Sequence, residues 1–383
     1  MIKYNFISRV YGPCIAFAEK KGKWGFVRLI GSSTGTMKIK ELTPFVYDKK
    51  PIIEDGLIVV SKKGKLGLFG LDYPNQSVKE ILKCEYEQID IQDVNHILVC
   101  KDGKYGMKNA RGADIVGLEW DYLKYVSSSV IIAARNGKFG VINSFNLVVI
   151  PFSYEEISLC GNYLKVRYDG RYGLYSLGGK FILSTEYYDI VPMRFGFAVR
   201  SVATWGFIDS KRIKTINCKY EAIEEGPFNT LKVKKKGKWG LMSTFGEVVL
   251  PARYRKIESR DVEGYAAVMG NNGKWSFIDT SFNQICLAEF DEVYEFNREL
   301  AIVKKNGKYG VINRNGNIVV LCMYDDISLF NSSGYAVVTV GSKSGVIDKK
   351  GKEITPIIYD SIDIMQNIAH VVYQGEQGIV CLE

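Results

Sequence analysis

The chain has 383 residues, 46% of them hydrophobic, and its 24 Tyr and 38 Gly favour strands joined by tight turns over helices. A net charge of +9 is mild beside that of a dedicated nucleic-acid domain, which concentrates basic charge, and permits anionic partners without requiring them. Eight dispersed cysteines with no C-x-x-C pair exclude a zinc ribbon and a dithiol redox centre.

The start, MIKYNFISRVYGPC, carries no apolar run behind a basic end, and no later stretch holds eighteen uninterrupted apolar residues. The expectation is a cytoplasmic protein with no membrane partner. KKGKWGF at 20–26 then returns as KKGKWGL at 235–241. Anchored on its last glycine, the phrase recurs at Gly25, Gly67, Gly106, Gly140, Gly173, Gly206, Gly240, Ser276 (a substituted copy), Gly310, Gly345 and Gly378. About twenty residues before each anchor stands a second mark, an aromatic usually followed by an acid and an aliphatic: Tyr4, Tyr47, Tyr86, Trp120, Tyr154, Tyr187, Tyr220, Tyr254, Phe290, Tyr324 and Tyr359. Two marks in step eleven times define a tandem array over residues 1–383 as a single domain.

Within a unit, AIVKKNGKYGVIN at 301–313 predicts an antiparallel hairpin, because Asn306-Gly307 supplies the two positive-φ residues of a tight turn. A second turn at Arg314-Asn315-Gly316 leads to a third strand through NIVVLCMYDDI, bent near its middle where other units place Pro151 or Pro251. Three strands per unit, then a loop of six to nine residues, is the expected plan. Cys84, Cys218 and Cys322, each two residues before its tyrosine, read as small fillers of one slot. Glycine inside a strand signals close approach to its backbone, and the expected covering group is the tyrosine of a neighbouring unit.

These marks resemble the WG-repeat family, also called KWG repeats, with a G-K-[WY]-G-[FVL]-[ID] core and a Y-[DE]-x-[IV] close. The resemblance spans the chain, departing at Leu66, Ser344 and Gln377 in the aromatic slot and at Ser276 in the glycine slot. It implies a β-rich repeat array and brings no common activity.

The fold expected is all-β: eleven three-stranded hairpin units stacked as an open, curved or superhelical solenoid, since one unit cannot bury its apolar face alone. A closed propeller-like ring, or two rings, is the alternative; three strands fall short of the four usual in a blade. The aromatics before the anchors, Trp24, Tyr105, Phe139, Tyr172, Trp205, Trp239, Trp275 and Tyr309, are expected to form core packing between units.

No chemistry stands out. His96 and His370 have no acid, cysteine or second histidine at metal-ligand or triad spacing, and GSSTGT at 31–36 and GSKSG at 341–345 read as turns, not phosphate loops. No catalytic, cofactor or metal residues are assigned. The acids Asp48, Glu87, Asp121, Glu155, Glu221, Asp325 and Asp360 recur in register, as structural groups facing lysines or turn N–H groups do. The slot before the aromatic is basic at Lys23, Lys65, Lys104, Lys138, Arg171, Lys238, Lys274, Lys308 and Lys343, a candidate ridge for a polyanion. The leading expectation is a non-enzymatic scaffold for a protein partner, with nucleic acid second. The segments 29–45 and 70–82, inside the longest spacings, are the favoured contact regions.

Overall fold

The computed structural model describes residues 4–8, 11, 14–31, 37–211, 215–258, 264–286 and 289–382. Among them every regular element is a strand, and the strands form eleven small antiparallel meanders, nine with four strands and two with three. The chain divides into two compact units, Met1–Tyr187 and Tyr188–Glu383. The first holds five sheets and the second six.

The ninth sheet shows how sequence becomes structure. Its strands are Glu292–Asn297, Leu300–Lys305, Lys308–Asn313 and Ile318–Tyr324. Asn306 and Gly307 adopt φ of 53° and 78°, so the expected tight turn forms and Lys305 faces Lys308 across it. The second turn has a cap that the sequence reading missed. Asn313, three residues after the anchor glycine, accepts backbone hydrogen bonds from Asn315 and Asn317, both at 3.0 Å. Asn143, Ser243, Asp279 and Asp348 do the same in their own sheets. A short polar side chain holding two amides is a standard way to fix such a turn.

The expected three strands per unit is corrected to four in most sheets. What was read as one bent strand is two, belonging to successive sheets: Tyr324 pairs with Tyr309 in the ninth, whereas Ile327 pairs with Val338 in the tenth. In the tenth sheet that first strand is only Asp326–Ile327 and residues 328–334 remain a loop, whereas in most other sheets the first strand runs on through the expected loop. Such strands are short and alternate, as in EISLC at Glu156–Cys160 and SIDIM at Ser361–Met365, and half the alternating positions are polar, which disguised them. Four strands per sheet match the number usual in a propeller blade. Each sheet is an open meander with two edges. Among the described residues the favoured regions 29–45 and 70–82 are largely not loops, because the strands Lys23–Gly31 with Met37–Glu41 and Lys65–Asp72 with Ser77–Tyr86 pair there. Of GSSTGT, residues 32–36 lie outside the described residues; GSKSG begins with the tenth hairpin turn, where Gly341 has a φ of 60°.

Alternation of side chains sends the two faces of each sheet into two different cores. In the fourth sheet, Ile131, Ala133 and Ile142 pack on Leu98, Met107, Val116 and Trp120 of the third. The opposite face, Ile132, Val141, Ile150 and Tyr154, packs on Ile157, Leu164 and Val166 of the fifth. Burial on both faces is what a repeat too small for its own core needs.

The anchor glycine works as expected, with a different covering group. Phe139 pairs with Tyr154 and Val141 with Ile150, so three residues of the fourth strand bulge opposite Gly140. A Cβ on Gly140 would lie 2.8 Å from the Ile150 carbonyl oxygen and from the Phe152 ring; one on Gly310 would lie 2.6 Å from the Val320 oxygen and 2.8 Å from the Cys322 sulfur. The covering group is thus the bulge of the same sheet, two residues before the aromatic, and not a neighbour's tyrosine. Cys84, Cys218 and Cys322 occupy that slot.

The aromatics before the anchors lie shallower than the core packing expected of them. Trp275 is buried, but Trp24, Tyr105, Phe139, Tyr172, Trp205, Trp239 and Tyr309 are only half-buried, most of them packed at the rim of a core. The deep position belongs to the closing aromatics, including Tyr47, Tyr86, Trp120, Tyr220, Tyr254, Phe290 and Tyr324. The rim aromatics stand beside the hairpin turn, where a basic side chain of the preceding strand lies over the ring. Lys165 is 4.4 Å from the Tyr172 centroid, Lys304 4.8 Å from Tyr309 and Lys232 5.3 Å from Trp239. An alkyl stem over an aromatic face covers it while its charge stays in water.

Candidate functional site

The repeated charges meet where one sheet hands over to the next. The closing aromatic pairs with the residue after the basic slot, so the acid that follows it falls opposite the base. Lys23 donates to Asp48 at 2.7 Å, Lys104 to Asp121 at 2.5 Å, Lys308 to Asp325 at 2.5 Å and Lys343 to Asp360 at 2.6 Å. Lys65 pairs with Glu87 and Lys274 with Asp291 in the same way. Six of the nine ridge cations thus face a carboxylate of their own repeat.

Most of these carboxylates have a second task. Asp325 also accepts the backbone N–H of Gly341 at 2.8 Å, in the hairpin turn of the tenth sheet. Asp121 holds Asn136 N–H at 2.8 Å, Asp291 holds Asn306 N–H at 2.6 Å and Asp48 holds Gly64 N–H at 3.2 Å. One acid therefore clamps the base of one sheet to the turn of the next. Hydrogen bonds from the partner lysine, then from the turn amide, hold the carboxyls of Asp48, Asp121 and Asp325 below the ordinary range, because both favour the charged form.

The exceptions define the surface. Glu155 takes Arg167 at 2.9 Å instead of Lys138. Arg171 donates to the Glu186 carbonyl at 3.1 Å. In the sixth sheet Thr204 occupies the basic slot, and Glu221 caps Gly237 at 3.0 Å. Lys238 is the sharpest departure: the residue opposite it, after Tyr254, is Arg255.

The structure also builds a polar cluster that the spacing of residues did not announce. His96 Nδ1 lies 2.9 Å from Asp93, its Nε2 lies 3.3 Å from Ser144 Oγ, and the Tyr125 ring stacks on the imidazole at 4.7 Å. Sequence spacing offers His96 no acid partner of metal-ligand or triad type, yet the fold brings Asp93 within hydrogen-bond reach of its ring. Asp93 stands three residues earlier, on the strand that pairs with His96. Burial pushes the Asp93 carboxyl up, but hydrogen bonds from His96 and Asn95 outweigh it and hold it below its usual value. Ser, His and Asp meet in triad order, yet Ser144 spends its amide on the Ser128 carbonyl at 2.8 Å. Asp93 is shared among His96, Asn95 and Tyr125. The cluster ties the third sheet to the fourth.

Beside the 70–82 segment, a groove of about 480 Å³ is lined by Lys62, Lys63, Lys65, Lys83, Glu80 and Cys84. Exposed apolar side chains recur elsewhere, at the second turn and the start of the fourth strand: Phe145 is 83% exposed, Phe245 63%, Val148 60% and Val248 62%. Alternation alone could not flag these, since a turn position and an edge-strand position look like core in sequence.

A family model described as a WG containing repeat matches residues 239–275, 275–309, 309–343 and 345–367. No curated protein matches the chain. Among solved structures, a crystal structure titled as the eukaryotic initiation factor is similar at 10% identity and a TM-score of 0.31, over 78% of this chain and 95% of that one. PorZ, a surface component of the type-IX secretion system of Porphyromonas gingivalis, is similar at 12% identity and a TM-score of 0.23, over 98% of this chain and 65% of that one.

Proposed function

Taking the chain as a WG-repeat protein, on the four consecutive repeats matched at 239–367, we propose that it is a non-catalytic scaffold whose stacked sheets present an extended surface to a protein partner. One observation carries this reading. The repeated charges are largely consumed in clamps between sheets, while large apolar side chains such as Phe145, Val148, Phe245 and Val248 stand exposed at recurring positions. Where the ridge lysines are matched by carboxylates, little field is left for a polyanion. Exposed apolar residues within a polar rim are what protein interfaces desolvate.

The test is affinity capture from the source cells with and without nuclease, using wild type beside Phe145→Asp and Phe245→Asp. A partner that survives nuclease and is lost with at least one variant supports the scaffold. Recovery that disappears with nuclease, or is indifferent to both variants, would reject it.

A further inference from the structure

Of the chain's net charge of +9, a surplus of eight lies in residues 211–256, where twelve Lys and Arg stand against four Glu. The remaining residues are almost neutral. This segment contains the one handover in which a base of the repeat faces another base. In six other handovers the slot after the closing aromatic holds a carboxylate paired with the lysine, as Asp325 stands between Lys308 and the next hairpin turn at Gly341. At Lys238 that slot is Arg255, which is exposed; a Cβ on Gly273, in the next hairpin turn, would lie 3.4 Å from Arg255 Nη1. Among the described residues no carboxylate pairs with Lys238 or Arg255.

Neighbouring groups do not fill the gap. Glu221 is committed to the Gly237 amide, and Glu224 is bound by Lys232 at 2.7 Å. Lys234 lies over the Trp239 ring at 5.6 Å, and Lys235, Lys236 and Lys256 are exposed around the same handover. Like charges held together by the fold cost free energy that an external anion recovers.

We infer that the Lys238–Arg255 handover is a docking site for an acidic segment of a protein partner, whose carboxylate takes the place that an aspartate or glutamate of the chain takes in the other handovers. The chain supplies the template: six times over, the group that fits beside this lysine is a carboxylate. Arg255 adds a planar fork that binds a carboxylate through two parallel hydrogen bonds, and the exposed lysines around it favour several consecutive acids. The site deepens the scaffold reading and rests on it, by naming the chemistry of the partner and where it sits.

The probe is a fluorescein-labelled hexaglutamate peptide, titrated by fluorescence anisotropy into the full chain at about 150 mM salt, beside a hexathymidylate of similar charge. Arg255→Asp restores the repeat's own rule, giving Lys238 an internal carboxylate. Lys350→Glu changes net charge equally, at an exposed turn of the tenth sheet. Circular dichroism and thermal midpoints check that both variants fold, and Lys238→Gln removes the base without adding an acid. The expected result is saturable peptide binding, weakened at least tenfold by Arg255→Asp and Lys238→Gln and less than twofold by Lys350→Glu. Equal weakening by Arg255→Asp and Lys350→Glu, no saturable binding, or tighter oligonucleotide binding with the same sensitivity to Arg255→Asp would overturn it. Because the titration uses purified protein, its failure leaves the capture result standing, and a nuclease-sensitive capture leaves the titration standing.

Discussion

The eighth and ninth sheets are neighbours built on the same phrase, and they differ at the anchor, Ser276 in one and Gly310 in the other. In the ninth, Gly310 lets the fourth strand bulge until the Val320 carbonyl would sit 2.6 Å from a Cβ. In the eighth, Ser276 occupies that position, buried, and its hydroxyl donates at 3.0 Å to the carbonyl of Cys286. Val320 and Cys286 each stand ten residues after their anchor. The same carbonyl that would clash with a methyl is thus turned into a hydrogen-bond acceptor. Among the described residues the eighth sheet has three strands, and the segment that follows meets it at the isolated bridges Trp275 with Phe290 and Ile278 with Gln284. Glycine at the anchor is therefore a requirement of the bulge, not of the strand that carries it.

With its fourth strand reduced, the eighth sheet depends on Phe290, which is fully buried against Trp275, Phe277 and Val303. Phe290→Ala should cost about 3 to 5 kcal/mol, read from urea unfolding. Trp239→Ala removes a half-buried ring at the rim and should cost about 1 to 2 kcal/mol, since part of its surface already meets water. Equal losses would show that the rim aromatics carry the core after all.

Next in size is the anchor itself. Gly310→Ala places a methyl against a carbonyl and a sulfur and should cost about 1 to 3 kcal/mol. Gly310→Ser should cost less than Gly310→Ala, because its hydroxyl can reach the Val320 carbonyl as Ser276 reaches that of Cys286. The reverse order would mean that the eighth sheet tolerates serine only because its fourth strand has already moved. Ser276→Ala, which leaves the Cys286 carbonyl without that donor, should cost about 0.5 to 1.5 kcal/mol.

These pairs also mark how far the sequence could be read. The array, its phase and the hairpin turns were legible because each rests on a local rule: positive φ at Asn306-Gly307, alternation in KYGVI, an aromatic and a glycine in step. The fourth strand was not, because its identity lies in pairing with residues that follow it, and EISLC or SIDIM carries no turn signal to separate it from the preceding tyrosine. The recurrence of acids after the closing aromatic was plain; their double contact was only a pair of alternatives until Asp325 was seen to bridge Lys308 and Gly341 at once. Arg255 was legible as a broken pattern, but only once the pattern had a meaning. Asp93 and His96, three residues apart, gave no warning of Tyr125 and Ser144, which arrive from the next sheet.

The smallest expected effect separates the regular handover from the broken one by acid. Lysine and turn hydrogen bonds depress the carboxyls of Asp291, Asp325 and Asp360 in the folded chain. Protonation therefore favours the unfolded chain, and their contribution is present in full above the unfolded-state value for aspartate, about 3.9. It fades as the pH falls through that value and past the lower folded one. Stability should be flat from pH 7 to about pH 5 and decline below about pH 4, less steeply in high salt because these pairs are exposed. The comparison can be made amide by amide with hydrogen exchange, corrected for the intrinsic effect of pH. The Gly341 N–H, held by Asp325, should lose protection below about pH 4. The Gly273 N–H, bonded to the Gly270 carbonyl at 3.2 Å across the turn beside Arg255, has no carboxylate to lose and should hold its protection over the same range. Parallel loss at both glycines would mean that the acids do not secure the turns one by one, and that the clamp between sheets resides in the apolar faces alone.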